Sequence, residues 1–162
     1  MWAMPRQKRI DLLYELLKNS KRSDRELAKV VKVSQPTITR MRKNLEKTEY
    51  IREYTIVPAV EKLGFELTAL TFLSTSTRPK DVKEMQKWIS ESRKTIFSSL
   101  GAGLDGKTLL LVSVHRDFTD FSEFTREVRG ILGLKDASME SFLVSLKTDM
   151  IKRFSFKNLE RI

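Results

Sequence analysis

The side chains best equipped for chemistry cluster between Ser34 and Asn44: Ser34, Gln35, Thr37, Thr39, Arg40, Arg42, Lys43 and Asn44, with Arg52 a little further on. Their chemistry is recognition. Gln35 can make paired hydrogen bonds to adenine, and Arg40 can do the same to guanine. Thr37, Thr39, Arg42, Lys43 and Arg52 suit phosphate oxygens, and Ser34 stands where the segment begins. Each phosphate met by a Lys or Arg releases counterions, so such binding weakens steeply with salt. Catalysis has no comparable support, because no acid, base and nucleophile converge. His115 is the lone histidine, with no pair of carboxylates at ligand or acid–base spacing, and we read it as structural. Asp117 and Asp120 suit the start of the helix that follows it. Ser98 and Ser99 have no triad partner. With no Cys there is no disulfide, no thiolate zinc site and no cysteine nucleophile. We expect no enzyme, no metal and no cofactor.

The elements that must carry these residues follow from periodicity. Ile10, Leu13, Tyr14 and Leu17 predict a helix over 6–18. Ser23-Asp24-Arg25-Glu26 is a capping box, and Leu27, Val30 and Val31 give the apolar face of a short helix over 24–31. Lys32-Val33 turns the chain, and Ser34 can cap again. Pro36 fits a first helical turn, and Ile38, Met41 and Leu45 form a narrow stripe over 35–47. A short helix, a tight turn and a basic third helix make a helix-turn-helix, and an α-helix fits the major groove of B-DNA. Tyr50 to Ile56 alternates and predicts a strand, half of a small wing. Residues 1–57 thus form a winged helix-turn-helix domain, with 58–66 a connector.

From residue 67 the pattern changes. Strands are expected at 67–74, 96–100, 108–114 and 138–146, and helices at 79–91 and 118–132, stopped by Gly133. This order is the ferredoxin-like βαββαβ motif, an α+β fold with helices on one sheet face. Gly101, Gly103, Asp105 and Gly106 fall in a hairpin loop between the second and third strands. That loop lacks the Gly-Lys-Ser/Thr ending of a phosphate loop. The apolar strand Thr108–Val114 suggests that a second subunit covers the open face. It carries no aromatic residue, so it is no base-stacking RNA platform. Phe118, Phe121 and Phe124 read as core, although the first and last cannot both face fully inward. Residues 67–162 make the second domain.

Composition agrees. The chain has 162 residues, 31 Lys+Arg against 21 Asp+Glu, and a net charge of +10. Residues 18–52 alone carry 11 basic and 4 acidic side chains. That excess points to a polyanion, nucleic acid before an acidic membrane. No stretch approaches the ~20 apolar residues of a membrane span. The first residues lack the apolar run of a secretory signal, which with the missing Cys points to a cytoplasmic protein.

Ser23-Asp24-Arg25-Glu26-Leu27-Ala28, Val33-Ser34-Gln35-Pro36-Thr37-Ile38-Thr39-Arg40, Leu45-Glu46 and Tyr50-Ile51 resemble the DNA-binding half of Lrp/AsnC (feast/famine) transcriptional regulators, archaeal members above all. Tyr54-Thr55-Ile56-Val57-Pro58 and Glu61-Lys62-Leu63-Gly64-Phe65 resemble the hinge of that family. The resemblance implies a homodimer or higher oligomer built through the C-terminal sheets, acting on pseudo-palindromic double-stranded DNA. It also implies a small-molecule effector site near Gly101, Gly103 and Asp105. Here the chain departs from the family, because Ala102 stands three residues before Asp105 where Gly is common. Lys32 likewise replaces a turn Gly, and Arg42 replaces a commonly apolar residue. The alternative reading is an architectural protein that coats DNA with little sequence preference and no effector. The basic, amphipathic tail 147–162 suits docking on a partner subunit, a wider DNA footprint or an anionic surface.

Overall fold

The computed structural model describes residues 6–74, 79–103, 105–131 and 139–159. Two compact units emerge: Met1–Pro58 with Lys152–Ile162, and Ala59–Ile151. In the first unit, α1 (Arg6–Lys18), α2 (Asp24–Val31) and α3 (Gln35–Lys47) fall where periodicity placed them. They share one core of Leu12, Leu16, Leu27, Ala28, Val31, Ile38, Met41 and Leu45. The stripe of α3 is as read. That of α1 is rotated: Leu12 and Leu16 are buried, while Ile10, Leu13, Tyr14 and Leu17 are only half-buried. α1 lies against both other helices, and the pair at i, i+4 points into the wedge between them. Val30, read as part of the apolar face of α2, is exposed.

The expected strand over 50–56 is not formed. Residues 52–58 are irregular and exposed, and only Ile51 packs on the helical core. No described strand pairs with this segment, so its alternation has no sheet to act on. In the tail, Lys157, Asn158 and Leu159 line a cleft of about 650 Å3 with Lys8, Tyr14 and Val31 of α1 and α2.

The second unit opens with a 3-10 turn, Val60–Leu63, ended by Gly64 at φ +86°. There follow β1 (Leu67–Leu73), α4 (Pro79–Glu91), β2 (Thr95–Gly103), β3 (Lys107–His115), α5 (Phe118–Ile131) and β4 (Met139–Ser145). The sheet is antiparallel in the order β2-β3-β1-β4, the ferredoxin-like arrangement. Gly133 and Ser138 lie outside the described residues. β2 is longer than read and takes in Gly101 and Gly103, so these glycines belong to an irregular strand end rather than to the loop. The turn proper holds Asp105 at φ +54° and Gly106 at φ +79°.

The alternation of β1 and β3 sends Ala69, Thr71, Leu73, Leu109, Leu111, Ser113 and His115 to one face. There Leu73, Leu109 and Leu111 meet Met85 of α4 and Phe124 and Val128 of α5. Phe121 is buried as well, whereas Phe118 is exposed, so the three phenylalanines do not all enter the core. The opposite face is apolar too. Leu70 pairs with Val112 and Phe142, Phe72 with Leu110, and Phe97 with Val112. Phe97 and Phe142 are exposed on it.

His115 is fully buried, edge-on to Phe121 and against Phe124. Its Nε2 shares a hydrogen bond with Ser113 Oγ at 2.8 Å, while Nδ1 lies 3.7 Å from an Asp120 carboxylate that Lys94 holds. Asp117 accepts from the Asp120 amide at 2.7 Å and caps α5, as read. Burial outweighs the pull of Asp120 and holds the His115 pKa below the usual 6.5. Below that pH the unfolded chain takes up a proton that the folded chain resists. Stability from this group is therefore complete above pH 6.5 and falls as pH drops through it. Thermal melts at stepwise lower pH, from 7.5 to about 5, are expected to show a falling midpoint, with the slope flattened by His115→Gln. An equally steep slope in the variant contradicts this assignment.

Candidate nucleic-acid interface

The interface is built on two caps. The Ser23 amide donates to Glu26 Oε2 at 2.8 Å, and the Glu26 amide donates to Ser23 Oγ at 3.3 Å, which closes the capping box. At the other end of α2, Lys32 takes a left-handed conformation at φ +58°. The Val33 amide reaches back to the Ala28 carbonyl at 3.1 Å, and Val33 packs on the core. This closure normally favours Gly, and here a lysine fills it. The chain then enters α3 with Pro36 in the first turn, as expected.

Ser34 does not cap α3 with its side chain. Its Oγ lies 2.9 Å from Thr37 Oγ1, and the first-turn amides of Thr37 and Ile38 donate to the Ser34 carbonyl instead. Thr37 is buried at 9% exposure, so its hydroxyl is occupied by Ser34 and turned from solvent. Arg42, expected to project toward phosphate, is also engaged. Its Nε and Nη2 donate to Asp24 Oδ1 at 3.1 and 2.7 Å. Thr39 donates to Asp24 Oδ2 at 2.6 Å. Those bonds, Thr39 foremost, hold the Asp24 carboxyl below the ordinary carboxylate range against the effect of burial.

What remains unengaged on α3 is Gln35, Arg40, Lys43 and, at its last residue, Lys47. All four are exposed, and their side chains have no partner among the described residues. Arg52 is likewise exposed beyond the helix. An exposed helix with one amide and three cations free, held by a three-helix core, can enter a groove and read it. Sequence reasoning located these residues. It missed Asp24, Tyr54 and Glu46, which fix the inner edge of the same helix; only the acidic first turn of α2 hinted at them.

The matched family model is a winged helix-turn-helix DNA-binding domain, over residues 6–52. An uncharacterised HTH-type transcriptional regulator of Pyrococcus horikoshii is 27% identical over 139 residues, spanning 85% of this chain and 90% of that protein. The solved structure of an AsnC family transcriptional regulator from Agrobacterium tumefaciens superposes with a TM-score of 0.76 at 20% identity, over 93% of this chain and 94% of that one. This chain has the Lrp/AsnC fold. A transcriptional regulator from Neisseria meningitidis, solved as a complex with L-Met, superposes with a TM-score of 0.77 at 19% identity, over 97% and 100% of the two chains. The matched residues 6–52 hold α1, α2 and α3. The relatives named are regulators rather than enzymes, in line with the missing catalytic set. Among the described residues no helix is long and apolar enough to cross a membrane, and no acidic or His cluster could hold a metal.

Ser23→Ala removes one half of the capping box and is expected to cost about 1 kcal/mol of unfolding free energy, read by urea denaturation. An unchanged midpoint shows that the box does not hold α2.

Proposed function

We propose that the protein is a sequence-specific, double-stranded DNA-binding transcriptional regulator of the Lrp/AsnC type, acting in the cytoplasm as a homodimer or higher oligomer. The observation that carries this reading is the outward face of α3, where Gln35, Arg40 and Lys43 stand free on a helix whose opposite side is locked in the core. Gln35 and Arg40 read bases. Lys43, Arg52 and the exposed Ser34 hold the backbone, while Thr37, Thr39 and Arg42 act through their contacts within the domain.

The apolar outer face of the sheet supports oligomerisation. Leu70, Phe72, Leu110, Val112, Phe97 and Phe142 form one continuous surface across four strands. Such surfaces mark interaction sites. A twofold pairing sets two α3 helices about one DNA turn apart, ~34 Å, and the operator is then a pseudo-palindrome. An effector reading rests on a cavity of about 320 Å3 beside Gly101 and Gly103, lined also by Phe72, Phe97, Leu100 and Lys107. Asp105, in the turn after β2, is not among its lining residues. The cavity suits a small molecule with an apolar body.

Duplexes enriched from a random pool and scrambled controls, compared by gel shift, test the DNA reading. Arg40→Ala is expected to cost roughly 1–3 kcal/mol on the enriched duplex and to relax base preference. Lys43→Ala is expected to weaken both duplexes alike and to lower the salt slope by about 1. Equal loss on both from Arg40→Ala removes its base-reading role, and a wild-type protein that does not discriminate indicates architectural coating. For the assembly, Phe97→Glu with Phe142→Glu is expected to shift sedimentation to the monomer, and an unchanged oligomer with an intact fold removes this face.

A further inference from the structure

Arg42 is the one cation of α3 that turns away from the outer face. Its side chain is 19% exposed, and Nε and Nη2 both rest on a single oxygen of Asp24. The other oxygen of Asp24 accepts from Thr39, one helical turn earlier. A carboxylate at the start of α2 thus holds α3 at two points, and Arg40 lies between them in sequence. On its far side Arg42 meets Tyr54. Nη1 approaches the Tyr54 hydroxyl at 3.4 Å, and the guanidinium carbon stands 6.0 Å from the ring centroid. That hydroxyl donates to Glu46 Oε1 at 2.8 Å, on the next turn of α3. The chain Asp24–Arg42–Tyr54–Glu46 therefore joins three segments: the first turn of α2, the side of α3 that carries Arg42 and Glu46, and the irregular stretch after it.

We propose that Asp24 is a positioning residue for DNA specificity, acting through Arg42 and Thr39 to fix the rotation of α3 about its axis. This rests on the reading that α3 enters DNA. The apolar stripe alone leaves that rotation loosely set, because Ile38, Met41 and Leu45 form a narrow line of contact. The carboxylate lies off that line and resists roll, since turning the helix parts Asp24 from Thr39 and Arg42 together. Base-edge hydrogen bonds need Gln35 and Arg40 at a fixed angle to the groove. A flexible lysine at a phosphate does not. The pair is partly exposed, so its weight in overall stability is small, and its effect falls on geometry.

The test uses the full chain, a duplex enriched by the wild-type protein and a scrambled duplex, with affinity read by fluorescence anisotropy. Asp24→Ala and Arg42→Met are each expected to weaken binding to the enriched duplex about tenfold and to the scrambled duplex less than about threefold. The double variant is expected to lose less than the sum of the two single losses, because both remove the Asp24–Arg42 contact. Tyr54→Phe leaves both helices and the Asp24 pair intact, and is expected to move the ratio of affinities the same way by a smaller factor. That variant keeps the test decisive if Asp24→Ala does not fold. Equal losses on both duplexes, additive losses or an unchanged ratio overturn the proposal. If the wild-type protein itself treats the two duplexes alike, the sequence-specific reading falls, and this inference with it. Wild-type discrimination that survives all three substitutions overturns the positioning role alone.

Discussion

The first unit depends on how α3 is held. A helix proposed to read DNA must show its polar face to solvent and still stay rigid, and those demands oppose each other. Here they are met by narrowing the apolar contact to Ile38, Met41 and Leu45, with the buried Thr37 beside them. A three-residue stripe leaves most of the circumference free for polar and cationic groups. The same narrowness gives apolar packing little leverage against roll. The polar contacts from Asp24 lie beside the stripe and supply it. Arg42 thereby trades a place on the outer face for a structural one, and the free cations that remain on α3 are Arg40, Lys43 and Lys47.

The sheet unit solves a different problem. Four antiparallel strands have two faces, and two helices cover one of them. The covered face carries His115 and Ser113 among aliphatic and aromatic side chains, and Ser113 Oγ is hydrogen-bonded to His115 Nε2. His115 keeps Nδ1 without a hydrogen bond, near a carboxylate already held by Lys94. A neutral ring is the form this site favours, and burial decides it. The uncovered face carries nearly as many large apolar residues as the covered one. A water-facing sheet would alternate with polar residues, and the departure from that pattern argues for association.

Much was legible because local rules carried it. The helices of the first unit follow from the capping box, the first-turn proline and i, i+3, i+4 spacing, and each of these acts within a few residues. The order of strands and helices from residue 67 follows from the same short-range patterns, and short connections then leave few topologies. The strand expected over 50–56 failed for a related reason. Alternation records a preference for extended chain, but a strand forms only beside another strand, and Tyr54 instead turns its hydroxyl to Arg42 and Glu46.

By itself the sequence determined the kind of each long element, the basic character of α3 and the absence of thiol chemistry, because composition and near-neighbour spacing suffice for these. Only the tertiary structure decided which cations of α3 stay free. Helical spacing sets Arg42, four residues after Ile38, beside the stripe and Arg40 away from it, but it does not say which carboxylate meets Arg42. Asp24 lies 18 residues from Arg42, and contacts at that separation exist only once α2 and α3 have packed. The buried pair Leu12 and Leu16 is a similar case: α1 offers apolar residues on several sides, and the wedge between its neighbours selects which of them enters.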